Sequence, residues 1–130
     1  MANEAICLVA PTKFHRYVCA DGNAIPKGSL LALTDPNTAA VSSADNDVFA
    51  GIAMEEKVAS DGVVFITAAL DGVWALMATA AGITVGNQVT IGGANTIKIY
   101  TTLDDEKGYV VGRALETTAG SETIMVRLGW

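Results

Sequence analysis

The pattern of IPKGSLLAL (25–33) recurs 58 positions later in ITVGNQVTI (83–91). The matched residues are Ile25, Gly28, Leu31 and Leu33 with Ile83, Gly86, Val89 and Ile91. A second motif, FAGIAMEE (49–56), recurs 61 positions later as VVGRALET (110–117). The two motifs keep their order and nearly the same offset, which chance seldom produces, although two copies are too few for a solenoid array. The repeat therefore predicts one compact body made of two similar β units. It also implies that any active site lies outside the repeated part.

The residues within each unit predict short strands joined by turns. Pro26 and Gly28 are typical of a type II-like turn, and the closing segment alternates apolar and polar side chains from Thr123 onward. No segment predicts a helix of ten residues or more. We therefore predict an all-β fold, a small single-domain barrel or sandwich. Its β domain spans 24–130, with the repeat at 24–70 and 82–130, and an N-terminal arm (1–23) precedes it.

Composition excludes several classes of protein. The chain has 130 residues, a formal charge of −6 and only 17% charged residues. The net negative charge argues against nucleic acid as a partner, because a phosphate backbone would repel it. No apolar run reaches the roughly 18 residues of a membrane span. The opening MANEAICLVAP has no basic region typical of a secretory signal, so we expect synthesis in a host cytoplasm.

The sequence offers few groups for catalysis or ligand binding. His15 is the only imidazole, so a Ser or Cys nucleophile would have at most one histidine as its base. There is no CxxC pair for zinc and no phosphate loop. We predict no catalytic residue, no metal site and no cofactor, and hence that the chain is not an enzyme.

The arm carries a compact group of cationic and aromatic residues, Lys13, Phe14, His15, Arg16 and Tyr17. This pentapeptide has two interpretations, an edge strand with a solvated face or a contact surface for a partner. Elsewhere, the final strand places its apolar residues on one face, which we predict to contact another subunit: Ile124, Val126, Leu128 and Trp130.

One alternative concerns Lys57. The segment AMEEKV (53–58) is similar to the lysine hairpins of lipoyl and biotinyl carrier domains, which are also two-fold repeated β structures. The corresponding point of the second unit reads Glu116-Thr117-Thr118 and has no lysine. The carrier interpretation therefore rests on Lys57 alone.

Several motifs in order resemble a known family. KGSLLAL (27–33), AGIAME (50–55), ITVGNQV (83–89) and VGRALE (111–116) are similar to segments of the capsid decoration (cement) proteins of tailed bacteriophages. Those proteins are also small, acidic and nearly free of helix. The resemblance covers roughly residues 24–130 and does not include the arm.

The resemblance implies a structural role in the virion. Such proteins bind the outer surface of the capsid, commonly as trimers, and stabilise the shell. The implied partners are the major capsid protein and further copies of this chain, with residues 13–17 as the candidate capsid contact. A rival interpretation is a β-rich receptor- or carbohydrate-binding module such as a head fibre. Trp74 and Trp130 lie in apolar runs and are poorly suited as sugar platforms.

Overall fold

In a computed structural model the protein is all-β, as the sequence predicts. The structure describes residues 3–44, 47–100 and 110–128, and these residues form eleven strands and no helix. The strands are β1 (Ile6–Val9), β2 (Phe14–Val18), β3 (Leu30–Asp35), β4 (Thr38–Val41), β5 (Phe49–Ala53), β6 (Phe65–Ala69), β7 (Val73–Ala78), β8 (Gln88–Gly93), β9 (Thr96–Ile99), β10 (Val110–Ala114) and β11 (Thr123–Leu128).

Ten of these strands form two five-stranded barrels. The first barrel closes in the order β2-β4-β3-β5-β6. The second has the order β7-β11-β10-β8-β9 and closes by pairing β7 with β9, while β1 adds to the outer edge of β7. Each barrel closes through one short parallel contact, Val18 with Thr38 in the first and Met77 with Thr96 in the second. All other pairings are antiparallel.

The two barrels share their strand register residue by residue. Leu31 pairs with Gly51 in the first barrel as Val89 pairs with Gly112 in the second. The β3–β4 and β8–β9 hairpins carry a register shift at the same point. The isolated bridge between Ile25 and Lys57 also has a counterpart, between Ile83 and Thr118. The two copies share few identical side chains, but they share the register in which their strands pair.

The predicted boundary between arm and β domain at residue 23 needs correction. Strand β2 pairs with β6 along its whole length, from Phe14 to Val18, as β7 pairs with β11. Residues 14–18 are therefore a wall of the first barrel, and the structural repeat runs from 14–69 to 73–128. The sequence did not reveal this equivalence because FHRYV (14–18) and VWALM (73–77) are not identical at any aligned position.

The two barrels pack against each other through a shared core. Leu30, Ile52 and Ala69 of the first barrel belong to the apolar cluster that fills the second. Buried polar groups join the barrels beside it, where the Asn95 side-chain oxygen accepts from the Leu30 amide at 2.9 Å. The Asn95 amide donates to the Ser42 hydroxyl at 3.0 Å. These buried polar groups form hydrogen bonds with each other only when the two barrels are correctly aligned. The interface therefore favours one specific arrangement of the barrels.

The repeated glycine of the AGIA and VGRA motifs lies where strands approach most closely. A Cβ added to Gly112 would overlap the carbonyl oxygen of Arg127 on β11. At the equivalent Gly51, φ is +146° and a Cβ would lie 2.8 Å from the Cβ of Ala68. Glycine at this point lets β5 and β10 approach their neighbouring strands closely. The recurrence of a glycine in both motifs is consistent with this close approach.

We predict that Gly112→Ala destabilises the protein by about 1–3 kcal/mol, because β10 or β11 must shift to admit the methyl group. Gly22→Ala is the matched control, since a Cβ there has no atom within 4 Å. It should change the free energy of unfolding by less than about 0.5 kcal/mol. Urea unfolding followed by tryptophan fluorescence measures both variants. Equal midpoints for the two would contradict the close approach at Gly112.

Candidate functional site

The pentapeptide 13–17 lies on the outside of the first barrel, on and just before β2. Phe14 is 51% exposed and Arg16 is also exposed, both on the outward face of the strand. The Arg16 guanidinium stacks over the ring of Phe65 on β6, 4.2 Å from its centroid. The stacked pair, with Phe14 beside it, presents an apolar surface that carries a positive charge.

Phe65 belongs to a wider apolar region that the sequence analysis did not single out. Val18, Val63, Val64 and Phe65 each remain between 37% and 45% exposed. Several of them line a shallow depression of about 570 Å³, together with Arg16, Glu55 and Thr67. The sequence signal was present in the run Val63-Val64-Phe65, but it predicts equally well a strand with both faces buried.

His15 and Tyr17 are committed to the fold. Their rings meet edge to face at a centroid distance of 4.6 Å. The His15 Nε2 lies 2.6 Å from the side-chain oxygen of Asn37, and the Tyr17 hydroxyl donates to the carbonyl of Ala50 at 2.6 Å. Burial raises the pKa of Tyr17. Of the five predicted contact residues, Lys13, Phe14, His15 and Arg16 are exposed and Tyr17 is half-buried. The contacts with Asn37 and Tyr17 hold the His15 ring in place, so Lys13, Phe14 and Arg16 are the residues we consider as the contact.

The start of β2 is tied to the junction between the barrels. Asp71 accepts hydrogen bonds from the hydroxyl and amide of Thr12, at 2.6 and 2.7 Å, and from the amide of Lys13 at 3.0 Å. The hydroxyl of Thr12, followed by the Lys13 amide, lowers the pKa of Asp71. Because Asp71 fixes the backbone here, residues 12–18 have a defined position on the first barrel.

The predicted subunit face at the end of the chain needs correction. Ile124, Val126 and Leu128 are 3%, 0% and 2% exposed within the single chain. They point into the second barrel and belong to its apolar core. The apolar alternation was correctly identified, but in a closed barrel one face of every strand is interior, so this face is covered without a partner. Trp130 lies outside the described residues.

Lys57 is a buried cation at one end of the first barrel. Its side chain is 1% exposed, and Nζ donates to the carbonyls of Asp21 at 2.6 Å and Val58 at 3.1 Å. The carboxylates of Asp61 and Asp21 lie 3.2 and 3.5 Å from Nζ. A lysine that accepts lipoyl or biotinyl groups must reach a modifying enzyme. Burial of Lys57 therefore removes the residue on which the carrier alternative rests.

The second barrel has a version of this cluster without the ammonium. Thr118 stands where Lys57 stands, and its hydroxyl donates to the Glu122 carboxylate at 2.7 Å. Each pair spans four residues, Lys57 with Asp61 and Thr118 with Glu122. The repeated geometry indicates that this cluster closes the end of a barrel, with a charge in one copy and a hydroxyl in the other.

The described residues show little that could bind a ligand or carry out chemistry. Within ranges 3–44, 47–100 and 110–128, no group of three or more His, Cys, Asp or Glu side chains could hold a metal ion. No helix in these ranges is long and apolar enough to cross a membrane. Both cysteines are free thiols, Cys19 buried and Cys7 exposed.

The N-terminal strand β1 exposes apolar side chains that the sequence analysis did not identify as a surface. Ile6, Leu8 and Val9 are 63%, 49% and 55% exposed. The strand pairs with β7 on one side, with Ile6 opposite Ala75. Its run of apolar residues is uninterrupted, so alternation gave no indication of which side chains face solvent.

Comparison with known proteins identifies a shared fold. No protein-family model and no curated protein sequence matches the chain. Among solved structures, the chain is similar to the N-terminal base of the head fibre protein gp8.5 of bacteriophage phi29, with a TM-score of 0.57 and 15% sequence identity. The match covers 90% of this chain and 93% of that one. Because both chains are covered almost completely, the two-barrel arrangement as a whole, and not one barrel alone, is shared.

We predict that Lys57→Ala destabilises the protein by about 1–3 kcal/mol, below the cost of a fully buried pair because Asp21 and Asp61 keep contact with water. Lys57→Met is the matched variant, since it keeps the apolar volume and removes only the ammonium. Thermal unfolding of both separates the loss of packing from the loss of charge. Wild-type stability in both variants would contradict a structural role for the buried ammonium.

The cluster also predicts a dependence of stability on pH. The hydrogen bond from the Val63 amide, together with Lys57, lowers the pKa of Asp61 in the folded protein. A lowered folded-state pKa stabilises the fold above the unfolded value of about 4, and this contribution disappears as pH falls toward the folded value. Urea midpoints between pH 7 and pH 3 should therefore fall less in Asp61→Asn than in the wild type. Parallel profiles would contradict this contribution.

Proposed function

We propose that this chain is a structural virion protein that binds the outer surface of a phage capsid and stabilises the shell. The observation that carries the proposal is the near-complete structural match to the base of the head fibre of bacteriophage phi29. The order of the glycine and strand motifs, which resembles that of capsid decoration proteins, supports it independently.

The described surface also favours a binding role over an enzymatic one. His15, the single imidazole, contacts Asn37 and Tyr17 and has no nucleophile at hydrogen-bond distance. Among the described residues, Lys57 lies beside two carboxylates, but its ammonium is buried and held by both of them. An enzyme needs a polar group that is both accessible and activated.

The capsid contact in this proposal centres on Lys13, Phe14 and Arg16. Phe14 and the Arg16–Phe65 stack supply desolvatable apolar area, while the two cations supply attraction to acidic groups. His15 and Tyr17 hold β2 in place through their hydrogen bonds with Asn37 and Ala50. The proposed contact is thus a face of the first barrel, because residues 14–18 form one of its strands.

Self-association into a trimer is part of the proposal, on the strength of the decoration-protein resemblance. The terminal strand no longer supplies its interface, because that face is interior. The exposed apolar residues of β1, Ile6, Leu8 and Val9, are the surface we assign to contact between copies. Sedimentation of the purified protein tests the oligomeric state.

A second candidate function is a base that holds a receptor-binding fibre on the capsid. The similarity to the base of the phi29 head fibre favours it. Sugar binding by the described part of this chain is disfavoured, because Trp74 is 3% exposed and its indole donates to Asp71 in the fold. A glycan array tests direct sugar binding by this chain, for which both the capsid-stabilising and the fibre-base function predict no signal.

The direct experiment mixes purified protein with undecorated mature capsids of the phage that encodes it, followed by cryo-electron microscopy. Added density on the outer surface, at positions related by the capsid lattice, is the expected result. Thermal or osmotic shock of the particles then measures stabilisation of the shell. Bare particles at saturating protein concentration would overturn the proposal.

We predict that Phe14→Ala lowers capsid affinity by about tenfold or more, because desolvated aromatic anchors dominate such interfaces. Val85→Ala is the matched control, since Val85 is similarly exposed, at 56%, but lies on the second barrel. Lys13→Ala should cost less and its effect should shrink in high salt, where exposed charges are screened. Co-sedimentation with capsids measures all three, and an equal loss for Phe14→Ala and Val85→Ala would contradict the assigned surface.

A further inference from the structure

The two barrels differ at one edge of their first strands. In the second barrel, the N-terminal half of β7 has a neighbour on each side, β11 on one and β1 on the other. In the first barrel, the equivalent half of β2 pairs with β6 on one side. On its other side, the described residues supply only the single contact between Val18 and Thr38. The duplicated fold thus has two equivalent strand positions, one filled and one open.

The backbone groups of β2 point into this open position. The Val18 amide donates to the carbonyl of Asn37, on the side away from β6, whereas the Lys13 carbonyl accepts from Leu70 on the β6 side. Because backbone groups alternate along a strand, Phe14 and Arg16 turn their amides and carbonyls away from β6. The register places Arg16 at the position of Ala75, which pairs with Ile6 of β1.

We propose that an extended segment of a partner protein adds to β2 at Phe14–Arg16 as an antiparallel strand, in the way that β1 adds to β7. The inference rests on the proposed function and deepens it, because the edge lies within the surface assigned to capsid binding. Strand addition supplies affinity through backbone hydrogen bonds and specificity through the side chains that flank them.

The charges around the edge favour a partner segment that combines apolar and acidic residues. Lys13 and Arg16 lie along it, in a chain whose net charge is −6. Lys13 and Arg127 also line a neighbouring depression with Asp71, whose carboxylate already accepts hydrogen bonds from Thr12 and the Lys13 amide. The outer edge of β1 in a second copy offers Ile6, Cys7, Leu8 and Val9, which include no carboxylate. Acidic side chains on an extended partner complement these cations, whereas a second copy leaves them unmatched.

Amide hydrogen exchange on the full-length protein, read by NMR when free and by mass spectrometry when bound to undecorated capsids, tests the proposal. In the free protein the Arg16 amide should exchange roughly 100-fold faster than the equivalent Ala75 amide, which β1 covers. Binding to capsids should slow exchange at Phe14–Arg16 and leave Ala75 unchanged. Concentration-dependent protection of Arg16 without capsids would assign the edge to a second copy and overturn the proposal.

Substitution separates the backbone from the side chain. Arg16→Pro removes the outward amide without removing a bond of the β2–β6 ladder, whereas Arg16→Ala removes the charge and keeps the amide. We expect Arg16→Pro to bind capsids roughly tenfold more weakly than Arg16→Ala, with circular dichroism confirming that both fold. Equal binding by the two variants would overturn strand addition.

The two proposals fail in different ways. Wild-type protein that binds capsids while its Arg16 amide stays unprotected overturns strand addition alone and leaves the proposed function standing. Wild-type protein that does not bind overturns the proposed function, and strand addition from the capsid with it. If Arg16→Pro does not fold, the exchange comparison between Arg16 and Ala75 still decides the question.

Discussion

Barrel closure through one short parallel contact is the constraint on which this structure depends. Val18 meets Thr38, and Met77 meets Thr96, so each five-stranded sheet returns to its own first strand. Closure gives every strand an interior face, and aliphatic side chains fill it, as the fully buried Leu76 and Val126 show. It also removes most open strand edges, which would otherwise favour aggregation. A chain with few aromatic residues can be stable in this form, because two narrow barrels and the seam between them need many small side chains rather than large rings.

The duplication was readable from the sequence wherever the backbone imposes a particular residue. Gly28 and Gly86 both adopt positive φ in matching turns, and Gly51 and Gly112 both lie at close strand contacts, so glycine recurs at each. Where the backbone accepts any β-forming side chain, the two copies have diverged. Arg16 and Ala75 occupy one position of the first strands and share no chemistry. The sequence therefore predicted the fold class and the later strands of each unit, and missed that β2 begins the first.

The candidate site was predicted in composition but not in geometry. The residues 13–17 are at the surface, yet their order along the chain could not say that His15 and Tyr17 would contact Asn37 and Ala50, because those partners depend on the barrel register. The terminal apolar face was assigned to a subunit contact for a related reason. Alternation of apolar and polar residues indicates that one face of a strand is buried. Only the topology shows whether the residues that bury it belong to the same chain.

The differences between the two copies are also where the function is best sought. At the barrel ends, Lys57 and Thr118 occupy equivalent positions with different side chains, and both are buried. This difference therefore affects stability more than binding. At the first strands the divergence is on the surface. The second barrel covers the edge of β7 with β1, whereas the first barrel leaves Phe14 and Arg16 exposed beside Lys13. Folding alone does not require this difference, because both barrels have the same strand topology. An edge that one barrel covers and the other exposes is therefore the strongest reason to place the partner on the first barrel.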